Sequence, residues 1–415
     1  LPCQSPGNEV YFLSVLIGTA EGTAIQAISI PGPMTIPVPS NPPTFHIATT
    51  LAQPNISIAD ISGDALYDLV LQSAYFKADP SGTFTDSSTD LNTTAGSGDL
   101  IRVADLDGNG TLDRIIAHKK SMWIEINDGE GHFILGPQVD LAKNVDDVTI
   151  AQLPAYWGTS VLAMDDKDLA FYSYRDNQWI EREHITLPRK GTSLKTGDLD
   201  GDGLSDIAVG TTNGIILYLY SVANQGWINE DIPSAGNVSA IDLADTNGDG
   251  FIDIGVGPQG EGKPFILLFT PFPYPPMPII PVPHIWTPKY SDETINIPGI
   301  RQITFVDLDG HGLPGLLVVS EEEGQSTYLT NNGAGKLFPT EFFLDAKVLG
   351  AGVGDLDGNG LLDVVAVKNK VIDIYESQYA EPAFERAEDE SQDTCPGPVR
   401  NFTAQVNDGS LVLTW

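Results

Sequence analysis

Five segments of this chain place oxygen-bearing side chains at the same positions of a nine-residue loop, where they could bind a hard metal ion. The clearest copy is Asp105-Leu-Asp107-Gly-Asn109-Gly-Thr111-Leu-Asp113. Side-chain oxygens at positions 1, 3, 5 and 9, with a backbone carbonyl at position 7, suit a cation that takes six to eight oxygen ligands. Glycines at positions 4 and 6 let the backbone turn sharply around the ion. The loop predicts calcium, because magnesium needs a stiffer octahedron and zinc prefers Cys and His.

The predicted metal ligands are the residues at positions 1, 3, 5, 7 and 9 of each copy. They are Asp60, Ser62, Asp64, Leu66 and Asp68; Asp105, Asp107, Asn109, Thr111 and Asp113; Asp198, Asp200, Asp202, Leu204 and Asp206; Asp245, Asn247, Asp249, Phe251 and Asp253; and Asp355, Asp357, Asn359, Leu361 and Asp363. A single copy is equally compatible with a solvated Asp/Gly turn. Five copies in register favour about five calcium sites.

A sixth copy has decayed. It begins at Asp307, places His311 at position 5 and ends at Gly315, so its last carboxylate is lost. We interpret it as a repeat that kept the turn and lost the metal. A different metal bound through His311 is the alternative.

The residues that follow the loops exclude the EF-hand, which closes with a bidentate Glu at position 12 between two helices. Position 12 is apolar in all five loops: Leu71, Ile116, Val209, Val256 and Ala366. Each loop instead leads into a strand-like apolar run, such as Ile207-Ala-Val-Gly210. The loop therefore ends at position 9 and precedes a buried β-strand.

The loop spacing indicates the architecture. The first Asp residues lie at 60, 105, 198, 245, 307 and 355, and the long step of 93 residues leaves room for a hidden repeat near residue 150. Seven repeats of about 46 residues, beginning near 56, 101, 147, 194, 241, 303 and 351, follow from this spacing. Such a period predicts an all-β, seven-bladed β-propeller of four-stranded antiparallel blades with calcium-binding turns. Eight blades are the alternative count.

The loops and the strands after them resemble FG-GAP/VCBS repeats over roughly residues 10–390. This resemblance implies a calcium-stabilised propeller like those of integrin α chains and some fungal lectins. It is specific for fold and calcium and unspecific for function, since such propellers serve adhesion, glycan binding and scaffolding. The repeats near 147 and 303 depart from the pattern because they lack a complete acidic loop.

The remaining segments suggest a modular chain. The propeller is assigned to residues 1–390, with strands within 8–48 helping to close the ring. An acidic linker is placed at 385–397. Residues 398–415 resemble the first two strands of a fibronectin type III domain, a fold that needs about 100 residues.

Several features predict an extracellular or cell-surface location. Cys3 and Cys395 flank the propeller, and a disulfide between them would form in an oxidising compartment; two free thiols are the alternative. The chain begins at Leu1, as a product of signal cleavage would. Candidate glycosylation sites are Asn55, Asn92, Asn237 and Asn401.

Charge and hydropathy restrict the partners. The net charge of −35 argues against nucleic acid, which requires clustered Lys and Arg. No apolar run is long enough to predict a membrane span in this chain. A proline-rich insertion at 271–283 either lies along the propeller wall or forms a partner-binding arm through Phe272, Tyr274, Met277 and Trp286.

The sequence favours an adhesion, recognition or fibre-assembly module that binds an extracellular protein or glycan or self-associates. Tryptophans 123, 157, 179 and 227 could stack on a sugar or be buried. The alternative is a polysaccharide lyase or hydrolase. We do not expect an enzyme, because the paired aspartates are assigned to calcium and the histidines lack metal-ligand spacing.

Overall fold

The computed structural model describes residues 37–40, 43–49, 55–80, 83–91, 99–153, 158–222, 224–260, 262–270, 285–344, 347–379, 403–407 and 410–414. The chain divides into two compact units, residues 36–380 and residues 1–35 with 381–415. Among the described residues the only helices are the 3₁₀ turns Ser88–Asp90 and Pro233–Ala235. None of the described residues belongs to a helix long and apolar enough to cross a membrane.

Strands β1 (Pro37–Pro39) and β2 (Phe45–Ala48) come first. Blade 1 contains β3 (Ile56–Ala59), β4 (Asp68–Leu71), β5 (Tyr75–Ala78) and β6 (Phe84–Asp86). Blade 2 contains β7 (Leu100–Ala104), β8 (Asp113–His118), β9 (Ser121–Asn127) and β10 (Phe133–Asp140). Blade 3 contains β11 (Asp147–Gln152), β12 (Thr159–Met164), β13 (Asp168–Arg175) and β14 (Gln178–Thr186).

Blade 4 contains β15 (Gly191–Gly197), β16 (Asp206–Thr211), β17 (Gly214–Ser221) and β18 (Gly226–Ile232). Blade 5 contains β19 (Val238–Ala244), β20 (Asp253–Pro258), β21 (Phe265–Thr270) and β22 (Ile285–Tyr290). Blade 6 contains β23 (Ile300–Val306), β24 (Gly315–Ser320), β25 (Ser326–Asn331) and β26 (Leu337–Leu344). Blade 7 contains β27 (Gly350–Gly354), β28 (Asp363–Lys368) and β29 (Val371–Tyr375), and the chain continues through β30 (Ser377–Tyr379).

Each blade is a four-stranded antiparallel sheet, and in blades 1 to 6 the strands follow sequential order from the centre outward. The first strands of neighbouring blades contact one another all the way round, from β3 to β27 and back to β3, so they line the centre of a closed ring. The prediction of an all-β, seven-bladed propeller is confirmed, and the eight-blade alternative is wrong. The repeat expected near residue 150 is blade 3.

An N-terminal strand completes the last blade. Strand β2 pairs with β29 as the fourth strand of blade 7, with His46 opposite Asp373, and β1 pairs with β30. Pairing between the two ends of the ring leaves no open gap between first and last blade, which removes a sheet edge. The strands expected within residues 8–36 lie outside the described residues.

The core lies between the blades. The second strands are buried on both faces, and every residue of Asp206–Thr211 in β16 is buried. Between blades 4 and 5, for example, Leu217 and Val256 belong to one apolar cluster with Ile241. This double burial explains why the strand after each acidic loop is a continuous apolar run rather than an alternating one.

The second unit contains one described hairpin. Strand β31 (Thr403–Asn407) pairs antiparallel with β32 (Ser410–Thr414). The predicted fibronectin type III-like character of this segment remains a prediction.

Candidate metal centres on one face of the propeller

The acidic loops all lie on the same face of the ring, which we call the loop face. Each connects the first strand of a blade to its second strand, as the loop after β15 does before Asp206 begins β16. Because the first strands are equivalent around the ring, these connections all leave the same end. In blade 3 the equivalent connection carries no acidic motif, and its residues 154–157 lie outside the described residues.

The backbone of each loop folds around the carboxylate at position 1. Asp198 accepts hydrogen bonds from the amides of Gly201 (2.8 Å) and Gly203 (2.9 Å). Both glycines have positive φ, +79° and +87°, a conformation that a side chain would strain. Position 5 stabilises the turn, since Asp202 accepts from the Leu204 amide at 2.9 Å. The glycines at positions 4 and 6 therefore allow the backbone to fold around the position-1 carboxylate.

The position-9 carboxylate is completely buried and connects three elements. One oxygen of Asp206 accepts from the Leu199 amide in the loop (2.8 Å) and the other from the Tyr220 amide in the third strand (2.8 Å). The same two bonds recur at Asp68, Asp113 and Asp253. Asp363 accepts from the Leu356 amide of its loop and from the Ser377 amide in β30, just after the third strand. Position 9 therefore holds the loop against its own blade and is placed to bind a cation.

Burial has an electrostatic cost for these aspartates. Loss of solvation raises the pKa of Asp113 to about 6 and those of Asp206 and Asp363 to about 7, although the backbone amides oppose the shift. Burial also raises the pKa of Asp68 and of Asp253. A divalent cation beside them would favour the ionised form and lower these values.

Three loops bring their carboxylates close enough to share an ion. The groups are Asp105, Asp107 and Asp113; Asp198, Asp200 and Asp206; and Asp355, Asp357 and Asp363, each with ligand oxygens within 4.8 Å of one another. Oxygens on opposite sides of a calcium ion are separated by about 4.8 Å, given bonds of roughly 2.4 Å. In addition, the buried Oδ1 of Asp355 lacks a hydrogen-bond partner. The donor set, all oxygen, fits calcium.

Two other predicted loops have weaker donor sets. In blade 1, Ser62 replaces the position-3 carboxylate, Ala65 adopts φ +70° where the others have glycine, and Lys77 lies 3.6 Å from Asp64. In blade 5 the position-3 residue is Asn247, which contributes an uncharged amide. These substitutions predict lower calcium affinity in blades 1 and 5 than in blades 2, 4 and 7.

In the decayed loop of blade 6, side chains of the same blade occupy the space of the missing ligands. The Asp309 carboxylate pairs with the His311 ring at 2.8 Å and accepts from the Thr330 hydroxyl at 2.5 Å. A side chain on Gly315 would meet the Tyr328 hydroxyl at 2.3 Å, so the tyrosine occupies the place of the position-9 carboxylate. The described residues hold no third ligand that would make His311 part of a metal cluster.

Comparison with known proteins agrees with this geometry. Residues 198–256, which span the loops of blades 4 and 5, match the family described as FG-GAP-like repeat. The chain is a β-propeller that contains an FG-GAP-like repeat. Curated protein sequences gave no match.

Solved structures resemble this propeller in fold alone. BBS1N in complex with ARL6DN is 12% identical, with a TM-score of 0.52, over 84% of this chain and 99% of that chain. Saccharomyces cerevisiae Sqt1 is 10% identical, with a TM-score of 0.51, over 82% and 100%. An Agrocybe aegerita lectin that recognises non-reducing terminal N-acetylglucosamine is 16% identical, with a TM-score of 0.49, over 78% and 87%.

Several predicted site residues fall outside the described part of the chain. They are Cys3, Cys395, Asn92, Asn401, Phe272, Tyr274, Met277 and Trp157. Trp286 is described and packs half-buried against Phe269, with ring centroids 5.3 Å apart. Of the two described sequons, Asn237 is exposed, whereas the Asn55 amide donates to the Asp99 carbonyl at 3.0 Å.

Three tryptophans considered for sugar stacking are packed between strands. The Trp179 indole donates to the Pro137 carbonyl at 2.9 Å, and the Trp227 indole donates to Glu183 at 3.0 Å. Trp123 packs half-buried against the core of blade 2.

Sequence reasoning favoured sites between blades but did not indicate that the grooves lie beside blade 3. A groove of about 560 Å³ on the loop face lies between blades 2 and 3, lined by Asp105, Asp107, Tyr174, Arg175 and Asn177 among others. The available signal was the missing acidic loop of blade 3, which leaves the blade 2 loop without an equivalent neighbour.

Proposed function

We propose that this FG-GAP propeller is a calcium-stabilised extracellular recognition module that binds a protein or glycan. Calcium would be held by the loop residues of blades 2, 4 and 7 first, and by those of blades 1 and 5 more weakly. When bound, the ion supplies positive charge to buried carboxylates and braces the first turn of each blade.

The observation that carries the proposal is the repeated carboxylate triad. In each triad one member, such as Asp206, is also hydrogen-bonded to two separate elements of its blade. The remaining ligands, such as Asp198, bond mainly to the loop backbone. Loops built this way support a scaffold, which leaves the inter-blade grooves and the outer surfaces for partners.

The groove between blades 2 and 3 supports a recognition role. It combines a guanidinium from Arg175, the Asn177 amide and the Tyr174 edge with the calcium loop at Asp105 and Asp107. Ligand sites commonly have volumes of about 300–1,000 Å³ with a few convergent polar groups. The groove has this size and these groups.

An extracellular location is supported by the exposed sequon at Asn237 and by the calcium loops. Weak and intermediate calcium sites are occupied only where free calcium is abundant, as it is outside cells. Fibre assembly by self-association remains a proposal within the same role.

Two measurements test the recognition role. Glycan and protein arrays probed with the labelled propeller should give specific binding in 2 mM calcium, roughly the concentration that weak extracellular sites require, and loss of it in EGTA. Immunolabelling of intact source cells should detect the chain at the surface. Arrays that show no partner in calcium, with a folded propeller, would contradict recognition.

An enzyme would differ from a binding module in the products it forms. A polysaccharide lyase or hydrolase would release unsaturated or reducing ends from its substrate. Incubating the calcium-loaded propeller with a polysaccharide panel and measuring both kinds of end would reveal it. We propose binding without such turnover.

A further inference from the structure

A second pocket lies between blades 2 and 3, near the end of the ring opposite the loop face. It has a volume of about 410 Å³. Residues 140–145, which leave β10, form one wall, and strands β13 and β14 of blade 3 form the other. It shares no residue with the groove beside Asp105 and Asp107.

The floor of this pocket is apolar. Ala163 and Met164 are buried beneath it, and Ala170 lies beside them. Leu141 and Val145 contribute further apolar surface from blade 2. A ligand with a short alkyl chain would bury that chain here.

The rim of the pocket is acidic. It carries four carboxyl groups and two basic side chains: Asp140, Asp165, Asp168, Glu181, Lys143 and His184. The Lys143 ammonium lies 2.5 Å from Asp168 and 3.4 Å from Asp165, so this rim already holds one alkylammonium group of the chain itself. Glu181 is exposed and forms no ion pair within the part of the chain that the structure describes.

A tyrosine with no hydrogen-bond partner for its hydroxyl among the described residues also lines the pocket. Tyr172 lines the pocket with only 4% of its surface exposed, and no described residue hydrogen-bonds its hydroxyl. Burial and the nearby carboxylates of Glu181 and Asp165 raise the pKa of Tyr172 to about 12, so the hydroxyl stays neutral. A hydroxyl without an internal partner is able to hydrogen-bond a ligand in the pocket.

We propose that this pocket binds an alkylammonium or alkylguanidinium group, the chemistry of a lysine or arginine side chain. The alkyl stem would lie on the Met164 floor. The cationic head would donate to Glu181 and to the Tyr172 hydroxyl oxygen. Fixed negative charge on the rim, in a chain whose net charge is −35, disfavours an anionic ligand.

This ligand class belongs to the recognition role proposed above. Only the idea that a partner protein supplies the side chain rests on that role. Two sources carry this chemistry, a free amine and a basic residue of a partner protein. Agmatine tests the pocket without any partner, and the peptide Gly-Gly-Arg-Gly-Gly tests the side chain within a chain. Both should be titrated calorimetrically in calcium.

Three variants make the test specific. Glu181→Gln should weaken agmatine binding about 10-fold, the typical effect of losing one hydrogen bond to a charged group. Tyr172→Phe should weaken it several-fold without lowering the melting temperature, since the hydroxyl has no internal partner. Glu341→Gln, the same change on the exposed outer strand of blade 6, is the matched control and should bind like the unmodified chain.

Lys143→Met provides an independent check, because removing the internal ammonium should strengthen agmatine binding. If agmatine binds and the peptide does not, the pocket takes a small free amine; if both bind, a protein partner supplies the side chain. Absence of binding by either probe, or binding that Glu181→Gln leaves unchanged, overturns the proposal. The array experiment tests the recognition role independently of these titrations.

Discussion

Two aspartates of the blade 4 loop should respond differently to truncation. Asp202 at position 5 is exposed and accepts one bond from the neighbouring Leu204 amide. Asp206 at position 9 is completely buried and accepts bonds from the amides of Leu199 and Tyr220. Asp202→Ala should therefore remove only a proposed calcium ligand, whereas Asp206→Ala should remove a proposed ligand and a structural connection.

The expected difference follows from the two buried donors. Each buried amide left without an acceptor costs about 1–3 kcal/mol. Part of that loss is offset, because Asp206→Ala also removes a carboxylate whose burial raises its pKa to about 7. We therefore expect Asp206→Ala to be about 2–4 kcal/mol less stable than Asp202→Ala in the same buffer.

Urea unfolding followed by tryptophan fluorescence, in EGTA and again in calcium, measures this difference. In EGTA, Asp202→Ala should lie within about 0.5 kcal/mol of the unmodified chain, as surface substitutions do. Both variants should lose part of the stabilisation that calcium gives. Equal stability of the two variants in EGTA would refute the connecting role of position 9.

Three further outcomes are expected. Glu125→Gln should destabilise the propeller by about 3–5 kcal/mol in urea unfolding, because it removes the counter-charge of the fully buried Arg114 guanidinium, whose other partners are backbone carbonyls. Arg114→Met with Glu125→Leu should recover most of that loss. Gly315→Ala should cost about 1–3 kcal/mol by overpacking against a tyrosine, whereas Gly226→Ala, with no atom closer than 3.9 Å, should be nearly neutral. In EGTA the melting temperature should fall as pH rises from 5 to 8. The reason is that the pKa of Asp363 is raised to about 7, so its contribution is present when it is protonated and is lost on ionisation; calcium should reverse this trend.

The repeats made the architecture readable from the sequence. A loop that ends at position 9 before an apolar strand fixes where each second strand begins, as Asp206 does for β16. Arithmetic on the spacing then located blade 3 without a motif of its own. These inferences worked because the local turn chemistry and the strand burial are repeated in every blade.

The double role of position 9 could not be read from the sequence. The pattern identified Asp206 as a ligand, but its bond to Tyr220 depends on the register between the second and third strands. The replacement of a carboxylate by Tyr328 in blade 6 likewise requires knowing which ring fills the space above Gly315. Both are three-dimensional contacts between residues more than ten positions apart.

The inter-blade pockets were hidden for a related reason. The pocket at Tyr172 combines residues of two blades, and nothing in the local sequence of β13 distinguishes a free hydroxyl from a bonded one. The carboxylates Asp165 and Glu181 belong to no repeated motif. Only the packing of blade 3 against blade 2 places them together.

Native mass spectrometry of the calcium-loaded propeller tests the central claim most directly, because it counts the ions that the chain holds. We expect up to five calcium ions, with three retained at the lowest free calcium and assigned to the triads of blades 2, 4 and 7. The Asp202→Ala variant should hold one ion fewer. A folded propeller that holds no calcium, or that holds as many ions after this substitution, would contradict the account.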